Sequence, residues 1–375
     1  VVRTKWKVII LKAARIVKPR EPLEIQEIEP QRPKGSQVLI KVQSVGVCHS
    51  DIHLWEGGYE GIGGQFLKTT DRGVKYPVTP GHEVAGYVES LGEEASSALK
   101  GVITKNEKVL VYPWIGEGLC PACRVGDENL CDKPRSLGLY TDGGYSEYLL
   151  VPSYKYLIKI DDDRNDLDAD SIATLSCSAL TAYGAVKNAN LGPNDNVVIV
   201  GAGGVGVMAI QLAKAVTGAR IIAMDLDDNK LKLAKENGAD FFVNSKKQNA
   251  VDAIMELTNK MGADAVIDFV NASKSVETDM QILRRRARVV LVGLFGGELR
   301  LSLVSMPTRA YRLIGSYTGN LNQLTELVSL AKRGIIKPVI SNQPFISNLF
   351  KLNQATEALQ MLRDGKIVGR GVINP

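Results

Sequence analysis

The chain has 375 residues, 45% hydrophobic and 23% charged, which makes it too long for one ordinary core and too apolar for disorder. Its net charge of +5 is spread along the length with no clustered basic face interleaved with aromatics, which argues against a nucleic-acid partner. No apolar run is long enough for a membrane span, since VVIVGAGGVGVMAI is short and broken by glycines.

The N-terminal stretch VVRTKWKVIILKAARIVK mixes basic with apolar residues and has no small-residue cleavage site, so secretion is not expected and the cytoplasm is. In that compartment the five cysteines read as free thiols, ligands or nucleophiles rather than disulfides. Residues 1–172 form short strands between Gly and Pro turns: QVLIKVQSVGV, EVAGYVESLG, KVLVYP and YSEYLLVPS. That texture predicts a partly closed, β-rich domain.

Straight after the first of these strands comes CHSDIH, residues 48–53, which holds two of the three histidines and one cysteine. A polar loop could carry them idly, or something there could need sulfur and imidazole together. His82 follows in PGHEVAGYVESLG. Further on, EGLCPACRVGDENLC places Cys120 and Cys123 as a C-x-x-C knuckle with Cys131 behind them. Tetrahedral zinc wants a fourth donor, and the same three-residue step backward lands on Glu117, whose carboxylate is an acceptable ligand. A Glu117/Cys120/Cys123/Cys131 zinc site is therefore expected.

The texture changes near residue 173. Strands then alternate with helices through VVIV, RIIAMD, FFVN, AVIDFV, VVLVG and RLIGSYT, which predicts a parallel, doubly wound α/β sheet over 173–319. GAGGVG, residues 201–206, follows VVIV and opens a helix. Gly201 permits the tight turn, Gly203 and Gly204 keep the loop bare for a pyrophosphate, and Gly206 lets the helix pack close to the strand. Phosphates would lie on free N–H groups at the helix start. Asp225 stands at the end of the second strand, where a carboxylate binds ribose hydroxyls and repels a 2′-phosphate, which favours NAD over NADP. The cluster RRRAR, 284–288, is expected at a helix C-terminus, where cations suit the dipole. Residues 320–375, with the amphipathic LNQLTELVSLAKRG and FKLNQATEALQMLRDG, are expected to return to the first domain.

Spacing alone does not bring Cys48, His82 and Cys177 together. In order, however, CHSD at 48–51, GHExxGxxxxxG at 81–92, CxxCxxxxxxxC at 120–131, CxxxTAYG at 177–184 and GAGGVG at 201–206 resemble the zinc-containing medium-chain alcohol dehydrogenases. The resemblance covers essentially the whole chain. YPWIGEG, GRGVINP and Glu117 look most like the microbial and archaeal branch.

The resemblance implies a GroES-like catalytic domain beside a Rossmann NAD-binding domain, two zinc ions per chain, and a homotetramer. It makes Cys48, His82 and Cys177 ligands of a catalytic zinc, with Glu83 just behind the metal and able to join it. Asp51 matches a carboxylate that orients the site. Ser50 and His53 match a proton path, and His49 a basic position facing the pyrophosphate. Thr181 matches a residue beside the nicotinamide, Arg370 one that reaches the pyrophosphate, and Lys230 one near the adenosine ribose. Trp114 matches a wall of the substrate pocket. Glu117 departs from the family, which usually has cysteine there.

The reading is thus a zinc-dependent oxidoreductase that interconverts alcohols with aldehydes or ketones. A polyol or amino-alcohol dehydrogenase of the same superfamily is the alternative, though those relatives commonly carry a carboxylate where this chain has Cys177. A zinc-ribbon nucleic-acid binder would need the basic face that the sequence lacks. A binding protein that had abandoned catalysis would have lost Cys48, His82 or Ser50, and none is lost.

Overall fold

The computed structural model describes residues 10–29, 31–160, 168–338, 342–343, 346–347 and 349–375. The start of the N-terminal stretch read above, residues 1–9, lies outside the described residues. Strand β1 (Val38–Val47) has only Lys41 and Gln43 exposed, so its valines and isoleucine enter the core. Helix α1 (His49–Glu56) follows at once, capped by Cys48 with Asp51 closing the box, and Gly57 ends it in the left-handed region at φ 84°. Strands β2 (Glu83–Leu91), β3 (Lys108–Val111), β4 (Tyr148–Val151) and β5 (Leu157–Lys159) complete the N-terminal share of an antiparallel sheet, with β1 pairing β2 and β4.

The second sheet begins after helix α2 (Ser178–Ala189). Its elements are β6 (Asn196–Val200), α3 (Gly204–Thr217), β7 (Arg220–Asp225), α4 (Asp228–Glu236), β8 (Phe241–Asn244), β9 (Ala263–Asp268), α5 (Ser273–Gln281), β10 (Leu283–Leu291) and β11 (Arg312–Gly315). Among the described residues this is a parallel six-stranded sheet in the order β8-β7-β6-β9-β10-β11, so the chain winds outward from β6 in both directions. Val197 to Val200 and every residue of β9 are buried, as a strand covered on both faces requires. The order reverses at β6, and the crevice beyond the strand ends there is where such sheets bind ligands.

RRRAR departs from expectation. Helix α5 stops at Gln281 and the arginines lie in β10, where Ala263 pairs Leu283 and Ala265 pairs Arg288. The unequal spacing throws Arg284–Ala287 out as a bulge, with Arg286 at φ 65°. Two carboxylates explain the cations: Arg284 pairs with buried Asp264 at 2.6 Å and Arg288 with half-buried Asp195 at 2.6 Å.

Helix α6 (Leu321–Lys332) packs on α2, burying Leu324, Leu327, Val328 and Ala331. The tail then crosses back: β12 (Leu349–Lys351), α7 (Ala355–Arg363) and β13 (Gly371–Asn374) follow, and β13 pairs β1 antiparallel through Val45–Val47. Residues from both ends of the chain therefore flank the motif at Cys48. No helix among the described residues is long and apolar enough to cross a membrane.

Candidate active site

Three distant segments deliver donors to one buried point. Cys48 caps α1 at the end of β1, His82 and Glu83 enter β2, and Cys177 caps α2. All four are buried, and one ligand atom from each lies within 4.8 Å of the others. The Cys48 and Cys177 sulfurs are 3.8 Å apart. Two zinc–sulfur bonds of about 2.3 Å at the tetrahedral angle span about 3.8 Å, so the pair has the edge that zinc requires. Both ring nitrogens of His82 are buried without a hydrogen-bond partner, although Nδ1 lies 3.3 Å from Asp51 Oδ1. A buried imidazole free of partners beside two sulfurs fits a metal donor set.

Asp51 organises this point. Its carboxylate accepts from the N–H of Cys48 at 3.0 Å, the N–H of Gly81 at 3.1 Å and the Tyr145 hydroxyl at 3.3 Å, while facing His82. Burial pulls His82 down, but the charge of Asp51 and Cys48 outweighs it and raises its pKa well above the ordinary value. The hydrogen bond from the Cys177 thiol holds Cys48 well below the usual thiol range, and the same bond holds Cys177 well above it. Burial pushes Glu83 up to about 7, against the pull of Arg370. Glu83 pairs with Arg370, and its other oxygen is buried without a partner. Opposite it, a Cβ on Gly46 would lie 2.0 Å from Glu83 Oε2, so glycine there leaves room for the carboxylate.

Ser50 Oγ lies 3.8 Å from Cys48 Sγ, beside the donors. His53 follows one turn later on α1, and its ring lies tilted against Tyr59 with centroids 4.5 Å apart. Burial lowers the pKa of His53. His49 is open to solvent in part of its surface, yet surrounding protein lowers its pKa and the positive charges of His53, Arg370 and Lys230 add to the effect. Lys230 sits in the first turn of α4. His49, Lys230 and Arg370 thus share one electropositive neighbourhood.

The glycine turn adjoins the same place. Gly201 takes φ 86°, and a Cβ at Gly206 would meet Gly201 O at 1.8 Å, so the start of α3 packs hard on the turn. A Cβ at Gly203 would meet nothing within 4 Å, leaving that face bare. A Cβ at Gly204 would strike Arg370 Cδ at 2.4 Å, which puts Arg370 between the turn and Glu83. Asp225 Oδ2 accepts from Ala202 N at 2.7 Å, and Oδ1 accepts from the amides of Leu226 and Asp227, so the carboxylate is fixed at the rim of the turn. Thr181 donates its backbone N–H to Cys177 O at 2.7 Å in the first turn of α2. Trp114 is buried: its indole donates to Ser176 O at 3.1 Å and its rings lie 5.1 Å from His82 and 5.7 Å from Tyr317.

Glu117, Cys120, Cys123 and Cys131 also gather within 4.8 Å, but in a mostly open loop. The sulfur of Cys120 lies 3.5 Å from Cys123 and 3.8 Å from Cys131, again a tetrahedral edge. Glu117 Oε1 accepts from the amides of Leu119 and Cys120, and Cys131 accepts from Glu117 N and Lys133 N at 3.3 Å each. The N–H of Cys123 helps lower Cys120, while burial pushes Cys123 up to about 11. The donor set fits a zinc ion.

Sequence reasoning missed the supports of both points. Tyr145 on Asp51 gives no spacing signal, being 94 residues away. Gly116 is needed because a Cβ would lie 2.4 Å from Cys123 Sγ, and Glu128 braces that loop through Gly116 N at 3.0 Å and the Tyr156 hydroxyl at 2.7 Å. A glycine just ahead of a ligand cluster was the one available hint. A cavity of about 670 Å³, bounded by Leu39, Leu137, Leu149 and Tyr156, includes no member of either donor set.

Known proteins give concordant matches. Residues 34–162 match the family model described as an alcohol dehydrogenase GroES-like domain, and 204–333 match that of a zinc-binding dehydrogenase. An NAD-dependent alcohol dehydrogenase of Sulfurisphaera tokodaii is 43% identical over 97% of this chain and 100% of its own length. Its counterpart in Saccharolobus solfataricus is 41% identical over the same shares. The crystal structure of the alcohol dehydrogenase of Aeropyrum pernix superposes with a TM-score of 0.85 at 34% identity, covering 97% of this chain and 100% of that one.

Proposed function

The chain belongs to the zinc-containing medium-chain alcohol dehydrogenase family, an NAD-dependent, zinc-dependent oxidoreductase of alcohols, aldehydes and ketones, and on that premise we propose the following division of labour. Cys48, His82 and Cys177 hold a catalytic zinc, with Glu83 as an alternate donor, and Glu117, Cys120, Cys123 and Cys131 hold a structural one. When bound, zinc supplies a Lewis acid that acidifies an alcohol hydroxyl or polarises a carbonyl, and NAD supplies the hydride acceptor. The observation that carries the reading is the convergence of four buried donors from distant segments, beside a glycine turn that Arg370 touches.

The chain's own groups do the rest. Asp51 fixes the His82 ring and so its donor nitrogen. Ser50 Oγ, beside Cys48, takes the proton that an alcohol gives up, and His53, one turn along α1 and nearer solvent, carries it outward. A histidine with a lowered pKa is neutral near pH 7 and so free to accept. His49, Lys230 and Arg370 balance the pyrophosphate charge at the turn of Gly201, Gly203 and Gly204, of which Gly203 leaves a bare face, while Asp225 takes the adenosine ribose and disfavours a 2′-phosphate. Thr181 lies beside the nicotinamide, and Trp114 walls the substrate pocket next to His82.

We read 1–172 and 320–375 as the catalytic domain and 173–319 as the dinucleotide domain, which the return of β13 to β1 supports. A homotetramer in the cytoplasm completes the reading. Among the described residues β11 is an unpaired edge of its sheet, and with Leu313 exposed and Leu303 and Val304 before it that edge supports self-association.

Ser50→Ala tests the proton path. The variant is expected to bind NAD normally, as measured by fluorescence titration, and to lose about 10²-fold or more of alcohol oxidation. Near-normal turnover would remove Ser50 from the mechanism.

A further inference from the structure

Phenols and one guanidinium adjoin the residues around the cysteines. Tyr59 lies tilted against His53 at 4.5 Å, and the Arg72 guanidinium sits over the Tyr59 ring at 5.6 Å. Tyr317 meets Trp114 edge-on at 5.7 Å, and Trp114 meets His82 at 5.1 Å. Arg72 and Tyr140 are near enough to act electrostatically on both Tyr59 and Tyr317, as Cys48 does on Tyr59 and Cys177 on Tyr317. Surrounding protein raises both phenols above the ordinary value, although Tyr317 keeps an exposed face, so both remain hydrogen-bond donors near neutral pH.

Arg72 is exposed and lies at the end of the short turn Thr70–Arg72, where Gly73 follows in the left-handed region at φ 94°. Apart from the Tyr59 ring it has no ion-pair partner among the described residues, although Asp71 is its chain neighbour. An arginine stacked on a tyrosine keeps its planar N–H fork free at its edge, and that fork fits a carboxylate in bidentate fashion. Protonated phenols around it add donors of the same sense. Arg72 adds positive charge to what the phenols offer a ligand.

Resting on the reading of Cys48, His82 and Cys177 as the reactive centre, we propose that the site prefers alcohols and carbonyl compounds that carry a carboxylate at the far end from the reacting carbon, with Arg72 as the residue that selects it. Trp114 and Tyr317 accommodate the apolar or aromatic middle of such a substrate. Arg72 touches neither the donors nor the glycine turn, so it governs choice of substrate and not the hydride step.

The test compares benzyl alcohol with 4-(hydroxymethyl)benzoate, NAD as oxidant, in wild type, Arg72→Leu and Arg72→Lys, at low and high salt. The two alcohols share one reacting group and differ by the distal carboxylate. Wild type is expected to favour the carboxylate about tenfold in kcat/KM through a lower KM, a gain that an exposed charged hydrogen bond can supply. Arg72→Leu should erase the preference while turning over benzyl alcohol at the wild-type rate, Arg72→Lys should restore part of it, and salt should shrink it. Equal efficiency on both alcohols in wild type, or an undiminished preference in Arg72→Leu, overturns the proposal while the dehydrogenase reading stands. No turnover of either alcohol by the zinc-loaded wild type overturns that reading and this proposal with it.

Discussion

The two donor sets hold their ligand atoms within the same 4.8 Å, yet they are built in opposite ways. Cys48 and Cys177 are 129 residues apart, and their set is buried throughout. Glu117 and Cys131 are 14 residues apart, in a loop most of whose donors are partly open. A charge in the buried set acts through a low local dielectric and reaches a reacting atom with little screening. A charge in the loop is screened, so that set can staple a fold but has little hold on chemistry. Under the proposed division of labour, burial and long sequence separation mark the reactive centre and a short open loop marks the brace, although their donor chemistry is similar.

The sharpest way to break that contrast is a pair of variants. Cys48→Ala should lose one of about two zinc ions and about 10³-fold or more in kcat, because several kcal/mol of charge stabilisation go with the metal. Cys123→Ala should also lose one zinc but should chiefly lower Tm, with residual kcat near wild type at low temperature. Metal analysis with thermal melts and steady-state rates reads both; equal losses of kcat would erase the distinction drawn here.

A smaller effect sharpens the account of the buried set. Asp51→Asn keeps the size of the side chain and removes the charge that faces His82 at 3.3 Å. Loss of about 10–100-fold in zinc affinity or activity is expected, as for other groups that orient a metal's histidine. Competition with a chelator measures it, and an unchanged affinity would show that Tyr145 and the Cys48 amide position the site without that charge.

The smallest expected effect comes from a buried cluster that has acids alone. Asp268 accepts from Val270 N, Asn271 N and Ser275 Oγ, whereas both oxygens of buried Asp279 lack a partner. Burial and the charge of Asp268 push Asp279 up from 3.8 to about 9. The folded chain therefore holds a proton there that the unfolded chain releases above 3.8. Its contribution to stability is complete below that value and is lost as pH rises through about 9. In Asp279→Asn the fall of Tm between pH 7 and pH 9.5 should flatten by about 2–4 °C, read by calorimetry. An identical pH slope in the variant would mean that Asp279 does not carry this proton.

Much of this was legible in the residues, and the exceptions share a cause. The loop set could be read from spacing because three cysteines and one carboxylate repeat on a short period, and the glycine turn because it sits between a strand and a helix. The doubly wound sheet followed from alternation alone. Cys48, His82 and Cys177 could be joined only through the family resemblance, since what brings them together is the pairing of β1 with β2 and the packing of α2. Tyr145 was invisible for the same reason, its role depending on a tertiary contact with Asp51. The arginines at 284–288 were misplaced because a helix end and a bulged strand attract cations for different reasons, dipole in one and the carboxylates of Asp195 and Asp264 in the other.

The ion pair between Glu83 and Arg370 joins residues 287 positions apart. At about 5–20 residues per second, a ribosome needs roughly 15–60 s to go from one to the other. Through that interval the nascent chain carries its sulfurs and its acidic glutamate with no counter-ion from the tail. Completion of this ion pair therefore waits on synthesis of the tail.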